Sequence, residues 1–188
     1  MKTLLSAMLL ACAALAAPAQ AATATFTGTL LGSSEVPPVA SPGSGSVTVT
    51  MDNVGHTLTI SLSFADLLSP ATAAHIHCCT APGGNAGVAI ELVDFPNATS
   101  GSYSHTFDTR AESTYGSAFL SAHGGTPGAE GALFGGLTSG HAYVNIHDAL
   151  YPAGEVRALL APVPEPATAV LAATGLLALG ALARRRRG

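Results

Sequence analysis

Residues 46–64, SVTVTMDNVGHTLTISLSF, decide the fold class of this 188-residue chain. In the segment 56–64, leucine, isoleucine and phenylalanine take every second position, with threonine or serine between them. The segment 46–51 alternates in the same way, with valine and methionine on one face. Side chains of a β-strand point alternately to two faces, so each segment has one face for a core and one for water. Turn residues at 52–55 join the two segments, and we predict an antiparallel hairpin.

The same pattern recurs outward from this hairpin. Six further strands are predicted, separated by Gly- and Pro-rich links: Thr23–Leu31, Ala73–Cys78, Gly87–Val93, Ser102–Asp108, His141–His147 and Gly154–Leu160. Eight short strands with turn signals between them are typical of an all-β sandwich or barrel. We therefore predict one all-β antiparallel domain over residues 22–162.

One segment departs from the alternation and has helical spacing. Between residues 109 and 122, alanine and aromatic residues recur every three or four positions. Thr109 and Glu112 match a capping box, and Gly124 follows as a stop. A second short helix is predicted from Thr126, with proline at its next position, to residues 135–136. Together they predict a small helical insertion that covers one end of the sheet.

The first 21 residues have the features of a secretory signal peptide. Lys2 precedes an apolar run, and small residues flank Gln20 in the cleavage pattern that ends at Ala21. We expect signal peptidase to remove residues 1–21 on export. The domain would then fold in an oxidising compartment, where Cys78 and Cys79 are predicted to form a disulfide that fixes a turn. The alternative is pairing with cysteines of another molecule.

The last 26 residues, 163–188, form a second targeting segment. An apolar run, 167–183, is close to the minimum length for a transmembrane helix, and arginines 184–187 should stay cytoplasmic. Pro164, Glu165 and Pro166, followed by this run and the arginines, resemble the PEP-CTERM sorting signal. The resemblance implies export across the inner membrane of a Gram-negative bacterium, transient anchoring and processing by an exosortase. Delivery to the cell surface or to an exopolysaccharide matrix would follow.

The domain between these segments is strongly acidic. It keeps two arginines and no lysine against ten acidic residues, a net charge of −8. Such a domain cannot neutralise phosphates, which excludes nucleic acid as a partner.

All seven histidines lie in this acidic domain, and three of them predict a metal site. Alternation places His75 and His77 on one face of their strand, and His147 shares a face with Asn145 on a later strand. If the two strands pair, three neutral imidazoles with an open position would suit Cu²⁺ or Zn²⁺. Asn145 and Asp148 are candidates to orient these ligands. The alternative is three solvated histidines on a polar strand face.

Three sequence blocks identify a family resemblance that covers essentially the whole domain. GTLLGSSEVPPV (28–39), AAHIH (73–77) and AYVNIHDALYPAGEVRALL (142–160) resemble the signature blocks of the CHRD domain. This resemblance implies a secreted protein with an immunoglobulin-like or superoxide-dismutase-like β-sandwich, in a family without a settled biochemical function.

The histidines also resemble the copper ligands of copper–zinc superoxide dismutases, which have an HxH strand and a later strand that ends in histidine. The resemblance implies His75, His77 and His147 as copper-type ligands. The histidine that bridges the two metals and the zinc loop of those enzymes have no counterpart in the sequence.

Glu35 and Arg157 are predicted as an ion pair that ties the first loop to the last strand; the alternative is two exposed charges. We favour an exported, non-enzymatic surface or matrix module that holds one metal ion. One alternative is a superoxide-dismutase-like copper redox enzyme, with Arg157 guiding small anions. Another is a carbohydrate-binding or adhesion module, which would normally use aromatic platforms, yet the chain has no tryptophan and four tyrosines.

Overall fold

The structure is a computed structural model that describes residues 23–164 and 174–175. The predicted signal peptide, 1–21, lies outside the described residues, as do Glu165, Pro166 and the arginine cluster. Nearly all of the predicted membrane span, 167–183, also lies outside them. Among the described residues, no helix is long and apolar enough to cross a membrane.

The described residues form nine strands, of which eight correspond to the predicted ones. Their bounds are β1 Thr23–Leu31, β2 Ser44–Asp52, β3 Thr57–Ala65, β4 Ala71–Cys78, β5 Val88–Glu91, β6 Gly101–Asp108, β7 Ala142–Asp148, β8 Val156–Leu159 and β9 Ala161–Pro162. The short β9 was not predicted, because two residues are too few to show alternation.

All strand pairs are antiparallel, in the order β5-β4-β7-β8-β1-β2-β3-β6, with β9 paired to β1. The predicted hairpin is β2–β3, with Val49 opposite Ile60. The sheet curls into a half-barrel, and one hydrophobic core includes residues from both of its halves. The all-β antiparallel, sandwich-like prediction is therefore confirmed.

The strands contribute to the core the side chains that the alternation assigned to the inner face. Leu58 and Ile60 of β3 are fully buried, as are Val144 and Ile146 of β7. At roughly 1.5–3 kcal/mol for each large apolar side chain, this burial is the main stabilising term of the fold. It also fixes the strand register, because a one-residue slip would move every core side chain to the outer face.

The outer face of β1, β2, β3 and β6 is a lattice of hydroxyl groups, which we call the hydroxyl face. Strand pairing aligns its residues in three rows of four, and all twelve are serine or threonine. The rows are Thr29–Ser46–Ser63–Ser102, Thr27–Thr48–Ser61–Ser104 and Thr25–Thr50–Thr59–Thr106. These side chains are exposed or half-buried.

The helical insertion is present, but its first helix is shorter than predicted. A 3₁₀ turn, Glu112–Thr114, is followed by helix α1, Ser117–Ala122. The chain leaves the helical path at Gly116, whose N–H donates to the carbonyl of Ala89 in β5. A Cβ at Gly116 would lie 2.7 Å from the carbonyl oxygen of Val88, so the strand and the helix approach closely only because this residue is glycine.

The predicted capping box is wrong, since Thr109 does not cap the 3₁₀ turn. The Thr109 hydroxyl instead donates to the carboxylate of Glu130, which also contacts His56. Glu130 belongs to helix α2, Thr126–Thr138, which starts at the predicted residue and ends two or three residues later than predicted. This contact ties α2 to the end of the sheet where β3 begins and β6 ends.

Candidate metal centre

The pairing of β4 with β7 brings the three predicted histidines together. In this register Ala73 lies opposite His147, and His75 lies opposite Asn145. Because the residues between them are buried in the core, His75, His77 and His147 all project from the outer face. One ring nitrogen from each lies within 4.8 Å of those of the other two.

Two of the three imidazoles have a ring nitrogen held by a backbone carbonyl. His77 Nδ1 lies 2.8 Å from the carbonyl oxygen of Ala86, and His147 Nδ1 lies 3.0 Å from that of Pro152. A carbonyl can only accept, so each Nδ1 carries the hydrogen and donates it. In the neutral ring the Nε2 atom then has a free lone pair. Metal-binding histidines are oriented in the same way, by donating their other N–H to a carbonyl or carboxylate.

The third imidazole contacts the second directly. His75 Nδ1 lies 2.9 Å from His147 Nε2, which is the unprotonated nitrogen of that ring, so His75 donates here. The two nitrogens could instead share a metal ion if the His75 proton moved to Nε2. Such a change of tautomer requires no movement of the backbone.

Burial favours the neutral form of His75 and His77. It lowers the pKa of His75 to about 4, with smaller contributions in the same direction from the neighbouring His147 and His77. Burial also lowers the pKa of His77, although its bonds to Ala86 and Asn145 oppose the shift. A neutral imidazole is the form that binds a metal ion.

The Asn145 side-chain amide contacts His77 within this cluster. His77 Nε2 lies 3.0 Å from the Asn145 side-chain oxygen, as the structure assigns that amide. With Nδ1–H committed to Ala86, the neutral His77 ring places a nitrogen lone pair against this oxygen. A positive charge at Nε2 satisfies both atoms. A proton, a metal ion or the reversed side-chain amide, with its N–H donating to Nε2, would each remove this opposition of lone pairs.

Asp148 does not take the orienting role predicted for it, and this prediction is corrected. It follows His147 on β7, so it points to the opposite face, where its carboxylate accepts the Tyr151 N–H. The Pro152 carbonyl orients His147 instead. Residue type cannot reveal a backbone carbonyl contributed by a loop, so the sequence had no signal for Pro152 or Ala86.

Glu35 and Arg157 form a buried ion pair and are not two exposed charges. Arg157 Nη2 lies 2.8 Å from Glu35 Oε2, and the side chains are 2% and 3% exposed. The guanidinium also donates to the Gly84 carbonyl and to Asn85. Burial raises the pKa of Glu35, while Arg157 acts in the opposite direction. The pair ties the loops 32–43 and 79–87 to β8.

This ion pair lies beneath the histidine cluster. The Arg157 guanidinium lies 3.9 Å from the centre of the Tyr143 ring, a cation–π contact. Tyr143 in turn stacks on His77, with ring centres 4.7 Å apart and planes 8° apart. The sequence placed Tyr143 on the same face as Asn145 and His147, but it could not show this stack, which depends on pairing across three strands.

Cys78 and Cys79 are joined by a disulfide at the end of β4. Both sulfur atoms pack against Gly136 of α2, where a Cβ would lie 2.6 Å from the Cys79 sulfur. The end of the strand that carries His75 and His77 therefore packs against the helical insertion through this disulfide.

The model of the CHRD domain matches residues 26–160. The match spans most of the chain and includes the histidine cluster and the buried ion pair. The chain belongs to the CHRD domain family. Neither the curated proteins nor the solved structures contain a significant match to it. The CHRD assignment therefore rests on the family model, and the likeness to superoxide dismutases remains a resemblance in three histidine positions.

A second model, the PEP-CTERM protein-sorting motif, matches residues 162–187, directly after the CHRD domain. This motif is the recognition signal for exosortase processing, and it marks proteins exported in Gram-negative bacteria to the cell surface. The protein is thus an exported, surface-associated CHRD module. The described part of the motif ends at the exposed Pro164.

Proposed function

We propose that this CHRD module binds one Cu²⁺ or Zn²⁺ ion through His75, His77 and His147. The observation that carries the proposal is the pair of backbone carbonyls at Ala86 and Pro152, which leave Nε2 of His77 and of His147 unprotonated within a cluster 4.8 Å across. A polar strand face in water has no reason to fix ring tautomers in this way.

The donor set supports these two metals over harder cations. Three imidazoles without a carboxylate suit Zn²⁺ and Cu²⁺, whereas Ca²⁺ and Mg²⁺ prefer oxygen ligands. Three protein ligands leave a fourth position for water or for another small ligand. Removing one histidine should therefore weaken binding sharply.

We propose a binding role rather than an enzymatic one. In the redox alternative, Arg157 was the candidate to guide small anions to the metal. Arg157 is only 2% exposed, and its N–H groups are used by Glu35, Gly84 and Asn85. The guanidinium thus holds two loops in place and is not open to solvent.

The proposed location follows from the two targeting segments. Signal peptidase would remove residues 1–21, and the tail would anchor the protein in the membrane until an exosortase processes it. The module would then remain on the cell surface or enter an exopolysaccharide matrix. Acidic charge suits this setting, because it favours cations and disfavours adhesion to anionic polymers.

Metal titration of the purified protein tests the proposal. We expect one equivalent of Cu²⁺ or Zn²⁺ to bind, and His77→Ala and His147→Ala to lower the affinity on the order of 100-fold or more. The matched control is His123→Ala, which removes an exposed histidine on the helical insertion. A protein that binds no metal, or a His77→Ala variant that binds normally, would overturn the proposal. Dismutase turnover by the copper form would favour the enzymatic alternative.

A further inference from the structure

The hydroxyl face is a regular two-dimensional array. Neighbouring strands lie about 4.7–4.9 Å apart, and alternate residues along one strand lie roughly 6.6–6.8 Å apart. The three rows on β1, β2, β3 and β6 therefore present hydroxyl groups at two fixed spacings. Each hydroxyl can both donate and accept a hydrogen bond.

The array is ordered before any ligand arrives, and it is not flat. Hydroxyls bond across strands, with 3.1 Å between Ser46 and Ser63 and 3.3 Å between Ser61 and Ser104. Around them lies an open depression of about 360 Å³, which Thr48 and Ser102 also line. A ligand in this depression would meet hydroxyls whose rotamers are already restricted, so ordering them costs less entropy on binding.

Cross-strand hydrogen bonds favour serine and threonine in a sheet, but folding alone does not require every position of this face to be uncharged. Solvent-exposed protein surfaces ordinarily mix charged residues of both signs, and any polar side chain would keep this face wet. The domain carries a net charge of −8, yet all twelve positions of the three rows are uncharged. Asp52 and Asp108 lie in a fourth row, beyond one end of the array.

The chemistry of the face selects one class of partner. This face has no apolar core of the kind that a stable protein interface requires. It also has no cationic side chains, which nucleic acids and anionic polymers would need. A neutral polymer rich in hydroxyl groups can exchange hydrogen bonds with the array without burying a charge. We propose that the hydroxyl face binds a neutral, hydroxyl-rich polysaccharide in an extended conformation.

This binding mode needs no aromatic platform. Each hydroxyl contact contributes little, because it replaces a hydrogen bond to water. A polymer with a regular repeat engages many contacts at once, so its overall affinity exceeds that of any single contact. Long chains should bind, whereas a trisaccharide of the same sugar should fail to compete. The site goes beyond the proposed metal function, since it shares no residue with the histidine cluster.

Retention of the purified protein on insoluble polysaccharides tests the inference. We expect binding to at least one of cellulose, a β-1,3-glucan or amylose, and none to alginate, which is anionic. Ser61→Gln combined with Ser104→Gln fills the depression without adding charge, and it should lower retention at least about tenfold. The matched control is Ser117→Gln combined with Ser121→Gln, two exposed serines of α1, which should leave retention unchanged.

Four outcomes would overturn the inference. They are no retention on any neutral polymer, equal retention on alginate, normal retention of the filled variant, and a dimer of the protein that the filled variant abolishes. The last outcome would assign the face to a second copy of the chain. Circular dichroism of the filled variant separates loss of binding from loss of folding. Normal retention of His77→Ala would show that polysaccharide binding does not depend on the metal site.

Discussion

The outer face of the curled sheet has two halves, which differ in how far their polar side chains are exposed to solvent. On β1, β2, β3 and β6 the outward residues are small hydroxyls open to water. On β4, β7 and β8 they are histidine, asparagine, tyrosine and arginine, and loops cover them. Both halves show the same alternation in the sequence. The loops decide whether an outward polar residue is a solvated surface group or a member of a buried network.

The comparison has an energetic consequence. In the open half, a polar group that loses its hydrogen-bond partner can bond to water instead, at little cost in free energy. In the covered half, a lost partner leaves a buried charge or a buried donor unsatisfied. Substitutions of similar size should therefore have very different effects in the two halves.

The largest effect is expected at the buried ion pair. Arg157→Met leaves the Glu35 carboxylate buried without a counter-charge, which should lower the free energy of unfolding by about 3–5 kcal/mol. Urea denaturation measures this change. Arg110→Ala, which breaks the exposed contact with Asp108, is the control and should have no measurable effect. Equal effects of the two variants would show that the loops do not bury the pair in solution.

Gly154→Ala should have the next largest effect. Gly154 has φ of +125°, and a Cβ there would clash with Glu35 and lie 2.7 Å from the Asn145 amide nitrogen. We expect a loss of about 2 kcal/mol or more, from backbone strain and from displacement of the network. Gly131→Ala in α2 meets nothing within 4 Å and should be neutral or stabilising. Thermal unfolding of the two variants checks the contrast, and a neutral Gly154→Ala would contradict the packing described for the covered half.

Acid should destabilise the metal-free protein through His75. Its folded pKa is about 4 against an ordinary 6.5, so between these values the unfolded chain binds more protons than the folded one. Stability contributed by neutral His75 is present above pH 6.5 and falls as the pH drops towards 4. Partial exposure reduces the effect to about 1–2 kcal/mol. Unfolding measured against pH for the protein and for His75→Ala isolates this contribution, and identical profiles would refute it.

The smallest effect is expected in the open half. Thr59→Val keeps the β-branched shape but removes a hydroxyl that lies 2.9 Å from that of Thr106. Because water replaces the lost partner, stability should change by no more than about 0.5 kcal/mol. A loss of several kcal/mol in a denaturation experiment would mean that the hydroxyl face is covered in solution.

Much of this architecture could be predicted from the sequence, because it depends on alternation within single strands. The β2–β3 hairpin and the shared face of His75 and His77 both follow from side-chain period alone. The meeting of His147 with these two needed one further assumption, that β4 pairs with β7, and the structure has that pair.

The remaining features depend on contacts between segments far apart in sequence. Gly116 interrupts the predicted helix because its N–H donates to a carbonyl of β5. Thr109 contacts a distant glutamate instead of capping a turn. The carbonyls of Ala86 and Pro152 have no side-chain signature. Asp148 was predicted to orient a ligand because it is next to His147 in the sequence. On a strand, however, the residue after a ligand points to the opposite face.

A crystal structure of the protein grown with Cu²⁺ or Zn²⁺, with anomalous diffraction at the metal edge, tests the central claim most directly. We predict one peak about 2.0–2.1 Å from a nitrogen of each of His75, His77 and His147. His77 Nδ1 and His147 Nδ1 should still donate to Ala86 and Pro152. A peak elsewhere would contradict the account. So would metal-soaked crystals in which His75 Nδ1 still donates to His147 and no peak lies between these two rings.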